Sequence, residues 1–230
     1  MYSAPTHIVA INRSSTLDDG QAALWVEAYR EQIRRVADAW GLAPPGVALH
    51  EKRHTEEPDP DIAAIYIVDT AGDPDALGYH TAAGRSRFGY VDMTLSRVVD
   101  IPSVVFGHEL YEMFVDADCD RWVGPYTDGT HVAIEVCDPV QRDYYTVSAD
   151  FMGAKGRVEI ADFVLPAWFD ERAIGPYAYS SPVMGPLTDN LGGYHVTERD
   201  GVVLASHPVR AKSFGRTFRR LATGRRAEAR

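Results

Sequence analysis

The sequence is poor in cysteine and in long apolar runs. Its 230 residues contain two cysteines, Cys119 and Cys137, which are too few for a disulfide-stapled scaffold and indicate a reducing compartment. No segment approaches the roughly 20 consecutive apolar residues that cross a bilayer, and the first residues lack the basic start and apolar centre of a secretion signal. These absences predict a cytoplasmic protein with no membrane partner, and they are compatible with association with a virion.

Positive charge is also scarce. Lysine and arginine number 23 against 33 aspartates and glutamates, which gives a formal net charge of −10. Eight of the basic residues and one glutamate lie in residues 209–230, so residues 1–208 carry 15 basic against 32 acidic residues, a net charge of −17. A body this acidic argues against nucleic acid as a partner. The basic tail, residues 209–230, is expected to contact an acidic partner and to be either a frayed helix or disordered.

Several familiar site motifs are missing. The sequence has neither a phosphate-binding glycine loop nor the Gly-x-Ser-x-Gly turn of serine hydrolases. An EF-hand calcium loop starting at Asp116 is excluded, because the positions that require glycine and glutamate are Arg121 and Thr127. A looser calcium site in this segment stays open.

The first half of the chain alternates strands with helices. A helix is predicted from Thr16 or Asp18 to Trp40, with Gly41 as its stop, and a second from Ile101 to Val115, with Asp100 as N-cap and Pro102 in its first turn. Apolar and alternating patterns predict five strands in this half, at residues 7–11, 47–54, 62–69, 77–81 and 88–93.

The second half is irregular and β-rich. Strands are predicted at residues 131–136, 143–148 and 157–164, and a hairpin at 194–206 turns at Asp200-Gly201. The expectation is therefore an α+β fold in one domain, residues 1–208, with an α/β half up to about residue 118 and a β-rich half over 119–208. A cleft between two such halves is a natural ligand site.

The motif GHELYEM places three ionisable residues in an otherwise apolar helix. His108 and Glu112 are four residues apart and lie one above the other, with Glu109 about 100° round the helix. Burying two carboxylates costs several kcal/mol each unless something compensates, and a metal ion compensates directly. The motif therefore predicts a metal site with His108 and Glu112 as ligands.

A metal site of this type needs a third protein ligand. Glu135 is the first choice, because it is a charged residue within an otherwise apolar predicted strand, where its charge would need a compensating partner. Asp138 follows, and then Asp118, which a chain turning back after the helix would bring close. His80, in the strand before the helix, is a further candidate that would face the cleft.

The sequence resembles a family of bacterial and phage proteins described as zincin-like metallopeptidases with a His-Glu-x-x-Glu motif. The matching pieces run in order from residue 8 to 196 and are VAINRSS, ALGYH, GHELYEMFVD, AIEVCDPV, DFVLPAWF and LGGYHV. The resemblance implies a zincin-like fold with the active-site helix under an edge strand. It also implies that His108 and Glu112 bind the metal and that Glu109 is the general base. The sequence departs from the main zincin pattern at Glu112, where histidine is usual.

These observations lead to three functional expectations. The first is a metal-dependent hydrolase, most simply a metallopeptidase with a peptide or protein substrate, using Zn²⁺ or alternatively Mn²⁺ or Ca²⁺. The second is a catalytically inactive binding or assembly protein, related to phage proteins, that keeps the fold with a structural metal or none. Hydrolysis of an amide in a non-peptide substrate is a third option.

Overall fold

A computed structural model describes residues 4–74 and 76–206. The expectation of a frayed or disordered tail at residues 209–230 lies outside the described residues. Within them the fold is α+β, as predicted, and no helix there is long and apolar enough to cross a membrane.

The first half forms a five-stranded mixed sheet. Its order is β2-β1-β3-β5-β4, with β1, β2, β3 and β5 parallel and the edge strand β4 antiparallel to β5. The five strands are β1 (His7–Asn12), β2 (Gly46–His50), β3 (Ala63–Val68), β4 (Gly78–Ala83) and β5 (Ser86–Asp92). All five were predicted, although β2 ends at His50 and not at residue 54, since the polar residues beyond it pair with no neighbouring strand.

Two long helices pack against this sheet. Helix α1 (Asp19–Trp40) is capped by Asp18, whose side chain accepts from the Gln21 amide, and it ends at Gly41, whose φ of +64° suits glycine. Helix α3 (Pro102–Val115) is buried along nearly its whole length. Buried apolar residues from both halves of the chain join in one core.

The two helices meet at Gly107. A Cβ atom there would overlap the Tyr29 ring and hydroxyl, so only glycine permits this approach. The Tyr29 hydroxyl donates to the Ser103 carbonyl at 3.0 Å and accepts from the Ala161 amide at 3.0 Å. This contact joins α1, α3 and the second half, and it fixes the helix just before His108.

The start of α3 differs from the prediction. A short helix, α2 (Met93–Val99), precedes it and is capped by Asp92, whose side chain accepts from the Leu95 amide. Asp100 is therefore wrong as the N-cap of α3: it follows α2, and Ile101 occupies the cap position without a side-chain hydrogen bond. The Asp100 carboxylate instead accepts from the Ile101 amide and pairs with Arg142 at 3.1 Å.

The second half contains two antiparallel sheets. A four-stranded sheet has the order β11-β10-β7-β6, and a two-stranded hairpin of β8 and β9 packs on α1 and α3. The strands are β6 (Trp122–Val123), β7 (His131–Ala133), β8 (Tyr144–Phe151), β9 (Ala154–Ala161), β10 (Val196–Arg199) and β11 (Val202–Ala205). The turn at Asp200-Gly201 is confirmed. The predicted strand 131–136 is too long, since the chain turns sharply after Ala133, where the Glu135 amide donates back to the Ala133 carbonyl.

Candidate metal centre

Helix α3 presents His108 and Glu112 as a contacting pair. Nε2 of His108 lies 3.2 Å from Oε2 of Glu112, as the four-residue spacing predicts. Glu112 is buried, and His108 is the more open of the two, with 15% of its side chain exposed. The approach from solvent to the site is therefore on the His108 side.

The turn after β7 brings a second carboxylate to the same imidazole. Asp138 Oδ1 lies 3.2 Å from His108 Nε2. The preceding residue, Cys137, donates its amide to Oε1 of Glu112 at 3.1 Å, which ties this turn to α3. A single 3-10 turn, Asp138–Val140, follows Cys137. The sharp bend that shortens β7 is thus what places Asp138 against the helix.

The edge strand β4 contributes a second imidazole. His80 Nδ1 lies 3.3 Å from Oε2 of Glu109 and 3.8 Å from Oε2 of Glu112, while its Nε2 lies 3.3 Å from the Asp116 carbonyl oxygen. Two residues earlier, a Cβ atom at Gly78 would lie 2.8 Å from Oε1 of Glu109. Glycine at 78 therefore lets the strand backbone pass directly over the Glu109 carboxylate.

Glu135 is buried beside this group, with 7% of the residue exposed. Its Oε2 has no hydrogen-bond partner among the described residues. Burial and the neighbouring Glu112 carboxylate raise the pKa of Glu135 well above its usual range. A buried carboxylate oxygen without a donor is costly unless a cation or an added proton satisfies it.

The cluster holds more acid than base. Burial opposes ionisation of Glu112, yet His108 holds its pKa below the usual value. Burial and Glu112 raise the pKa of Asp138 to about 7. Burial would lower the pKa of His108, but Glu112 and Asp138 raise it well above its ordinary value. Four buried carboxyl groups, at residues 109, 112, 135 and 138, thus share the cluster with two imidazoles, so acidic groups outnumber basic ones.

The donor atoms around His108 could hold a divalent metal ion. A tetrahedral site with bonds of about 2.0–2.1 Å separates its ligand atoms by roughly 3.3 Å, and His108 Nε2 lies 3.2 Å from one oxygen of Glu112 and 3.2 Å from one oxygen of Asp138. Donor atoms of His108, Glu112 and Cys137 all lie within 4.8 Å of one another. Imidazole, carboxylate and thiolate are also the ligand types that suit zinc. The unpaired Glu135 oxygen needs either a proton or a cation, and the raised pKa of Glu135 favours the proton in the metal-free protein.

The structure brings together most of the residues that the sequence singled out. His80, His108, Glu109, Glu112, Glu135 and Asp138 share one buried cluster, and Asp138, not Glu135, directly contacts His108. Asp118 is different, because its carboxylate forms a two-pronged pair with Arg87 at 2.9 and 3.2 Å. It is committed to that arginine and does not join the cluster.

Sequence reasoning missed two residues of the cluster, Cys137 and Tyr194. The Tyr194 hydroxyl bonds to the Asp138 carboxyl, and the Tyr194 amide donates to the Asp138 carbonyl at 3.1 Å. A Cβ atom at Gly193 would overlap the Pro139 carbonyl, so glycine is needed for this approach. The adjacent glycines in LGGYHV were the available signal for Tyr194.

Comparisons with known proteins add no assignment. No protein-family model, no curated protein and no solved structure matches this chain. The chemistry of the cluster is therefore the basis on which a function is inferred.

Proposed function

We propose that the protein is a metal-dependent hydrolase that cleaves peptide bonds, with its ion at His108, Glu112 and Asp138. The main support is a helix imidazole nitrogen with two carboxylate oxygens at 3.2 Å, inside a buried cluster where four carboxyl groups meet two imidazoles. The resemblance to zincin-like metallopeptidases, carried by GHELYEM and its companion motifs, supports the same assignment. A zincin-like arrangement, with α3 beneath the edge strand β4, is part of this proposal.

Each residue has a chemical role. The bound ion would polarise the scissile carbonyl and make a water acidic enough to attack near neutral pH. Glu109 accepts the proton of that water at its carboxylate and delivers it to the leaving nitrogen. His80, with Nδ1 at 3.3 Å from Oε2 of Glu109, orients this carboxylate. Tyr194 holds Asp138 through its hydroxyl.

The edge strand suggests how a substrate would lie. Among the described strands, β4 is the last of its sheet, and it passes over Glu109 at Gly78. An extended peptide can add to such an edge through backbone hydrogen bonds. A peptide added to β4 would lie on the strand that passes over Glu109, so we propose extended segments of peptides or proteins as the substrate class.

The ligand set favours zinc with slow turnover. One neutral imidazole and two carboxylates neutralise a divalent ion, and a more anionic set makes the ion a weaker Lewis acid than three imidazoles would. Zinc is the first choice because imidazole is among its preferred ligands, and a carboxylate-rich set also suits Mn²⁺ or Ca²⁺.

The test replaces Glu109 with glutamine. Glu109→Gln removes the proton acceptor while preserving the side-chain shape, so hydrolysis of a fluorogenic peptide mixture should fall by about 100- to 10,000-fold. Zinc content, measured by atomic emission, should remain at the wild-type level. Glu31→Gln, an exposed position on α1, is the matched control and should behave as wild type. Wild-type hydrolysis in Glu109→Gln would remove Glu109 from the proposed role.

The rival function is that of a non-catalytic binding or assembly protein. It predicts that purified protein holds neither zinc nor manganese, and that adding either ion leaves its unfolding temperature unchanged. The cluster would then be held together by protons shared between imidazoles and carboxylates. Metal analysis of the untreated protein therefore separates the two functions before any substrate is known.

A further inference from the structure

The cluster contains two sets of donor atoms, not one. The first is the set around His108 described above. In the second, donor atoms of His80, Glu109 and Glu112 all lie within 4.8 Å of one another. The two sets share only Glu112, whose Oε2 is 3.2 Å from His108 Nε2 and 3.8 Å from His80 Nδ1. One carboxylate oxygen thus stands beside two different imidazoles.

The hydrogen bonding of His80 directs its Nδ1 atom at the carboxylates of the cluster. Its Nε2 contacts the Asp116 carbonyl oxygen, which can only accept, so Nε2 carries a proton. Nδ1 faces the carboxylates of Glu109 and Glu112 at 3.3 and 3.8 Å, and a divalent cation between these three groups would take the place of the proton on Nδ1. A histidine whose far nitrogen donates to a backbone carbonyl is the usual arrangement of a metal ligand.

Charge counting favours a second ion. The four carboxylates at residues 109, 112, 135 and 138 carry four negative charges when ionised, and one divalent cation leaves two of these in a nearly dry site. Two divalent cations neutralise all four. Glu135, whose electrostatic neighbours include His80 and Glu112, still has an unpaired buried oxygen to offer.

We propose that a second divalent cation binds between His80, Glu112, Glu135 and Glu109, with Glu112 bridging the two ions. The proposal rests on the metal site of the proposed function and adds regulation to it. An ion on His80 also engages Glu109, which lies 3.3 Å from the same nitrogen. Glu109 then no longer accepts the proton of the attacking water. The second ion is therefore inhibitory.

The competing arrangement needs no second ion. His80 would carry a proton on both nitrogens and donate to the Asp116 carbonyl and the Glu109 carboxylate. The two arrangements differ in the number of ions bound, which can be counted without a substrate.

The experiment counts zinc at equilibrium. Metal-stripped full-length protein is dialysed against buffers of increasing free Zn²⁺ and analysed for zinc per chain. Two variants probe the second site separately, His80→Gln and Glu135→Gln, and His7→Gln, an exposed histidine on β1, is the matched control. Circular dichroism confirms that each variant is folded, and having two variants covers the failure of either one to fold.

Wild type and His7→Gln should bind two equivalents, while His80→Gln and Glu135→Gln should bind one. One equivalent in wild type, unchanged in both variants, would overturn the second site and leave the proposed function standing. No bound zinc would overturn both. Two equivalents retained in both variants would place the second ion elsewhere and also overturn the proposal.

Hydrolysis supplies a second readout. The wild-type rate should rise with the first equivalent and fall by about 100-fold as the second binds, because a general base typically contributes at least this factor. A hydrolysis rate that stays constant while the second ion binds would contradict the proposal that this ion prevents Glu109 from accepting the proton of water. Repeating the titration with Mn²⁺ identifies which ion the carboxylate-rich site prefers.

Discussion

Two groups of buried carboxylates in this protein have opposite surroundings. Asp92 and Asp162, exposed by 0% and 1%, are satisfied by the backbone. Asp92 accepts from the amides of Leu95 and Ala71, both at 2.8 Å. Asp162 accepts from three amides, of Phe163, Ser180 and Ser181, at 2.6 to 3.0 Å. Such carboxylates cap helices and hold loops, and their charge is met by oriented N–H groups.

The cluster on α3 receives much less from the backbone. Of its four carboxylates, Glu112 accepts one amide, Asp138 has a tyrosine hydroxyl and an imidazole, and Glu109 faces the imidazole of His80. Glu135 has an oxygen with no partner among the described residues. Burial alone therefore does not distinguish the two groups of carboxylates. They differ in the number of backbone donors, and a buried carboxylate with few donors has acceptor capacity left for a proton, a cation or a substrate.

The largest expected effect comes from substituting Asp162, one of the two carboxylates that backbone amides satisfy. Asp162→Ala leaves three buried amides without an acceptor and should lower the free energy of unfolding by about 3 kcal/mol, measured by urea denaturation. Asp162→Asn keeps one acceptor oxygen and should lose less. Zinc affinity should be unchanged in both. A loss of zinc affinity in a folded Asp162 variant would contradict the assignment of Asp162 to a purely structural role.

The matching substitution in the α3 cluster should have the reverse outcome. Glu112→Gln preserves the acceptor for the Cys137 amide but removes the charge, so the stability of the metal-free protein should not fall. Affinity for the first zinc ion should fall by about 100-fold or more, since loss of even an outer-shell partner costs up to about 100-fold. Competition with a chromophoric chelator measures this. Unchanged affinity would refute Glu112 as a ligand.

Asp116 lets the two groups of carboxylates be compared through the pH dependence of stability. It accepts from the amides of Arg121 and Asp120, yet burial raises its pKa to about 6. The folded state therefore binds more protons than the unfolded state between about pH 4 and 6, and its stability falls as pH rises through this window. Asp116→Asn should remove this loss, a difference on the order of 2 kcal/mol across the window in metal-free protein. Parallel stability–pH curves for the two proteins would contradict the assignment.

The smallest expected effect comes from removing the Tyr194 hydroxyl, which bonds to the Asp138 carboxyl. Tyr194→Phe deletes the hydroxyl that bonds to this carboxyl and should weaken binding of the first zinc ion by about 10-fold. Tyr144→Phe, at a largely exposed tyrosine on β8, is the control and should bind zinc as wild type does. Equal affinities in the two variants would show that Tyr194 does not position the ligand.

Local patterns predicted the regular elements well. The limits of α1 follow from Asp18 and Gly41, and the hairpin turn follows from Asp200-Gly201, where both residues have positive φ. Predictions failed where a tertiary contact overrides a local preference. The strand expected at 131–136 stops at Ala133, since the chain bends there toward α3, and Asp100 pairs with Arg142 across a distance of 42 residues in sequence.

The sequence by itself determined the pairing of His108 with Glu112, because the helical period brings residues four apart to one face whatever surrounds them. It also determined that these carboxylates would be buried, because the residues around them are almost all apolar. Only the tertiary structure decided which other groups meet them. His80 arrives on the edge strand of the sheet, and Glu135 and Asp138 arrive on a turn after β7. These contacts depend on strand order and on where the chain bends, which packing of the whole domain fixes and local periodicity does not.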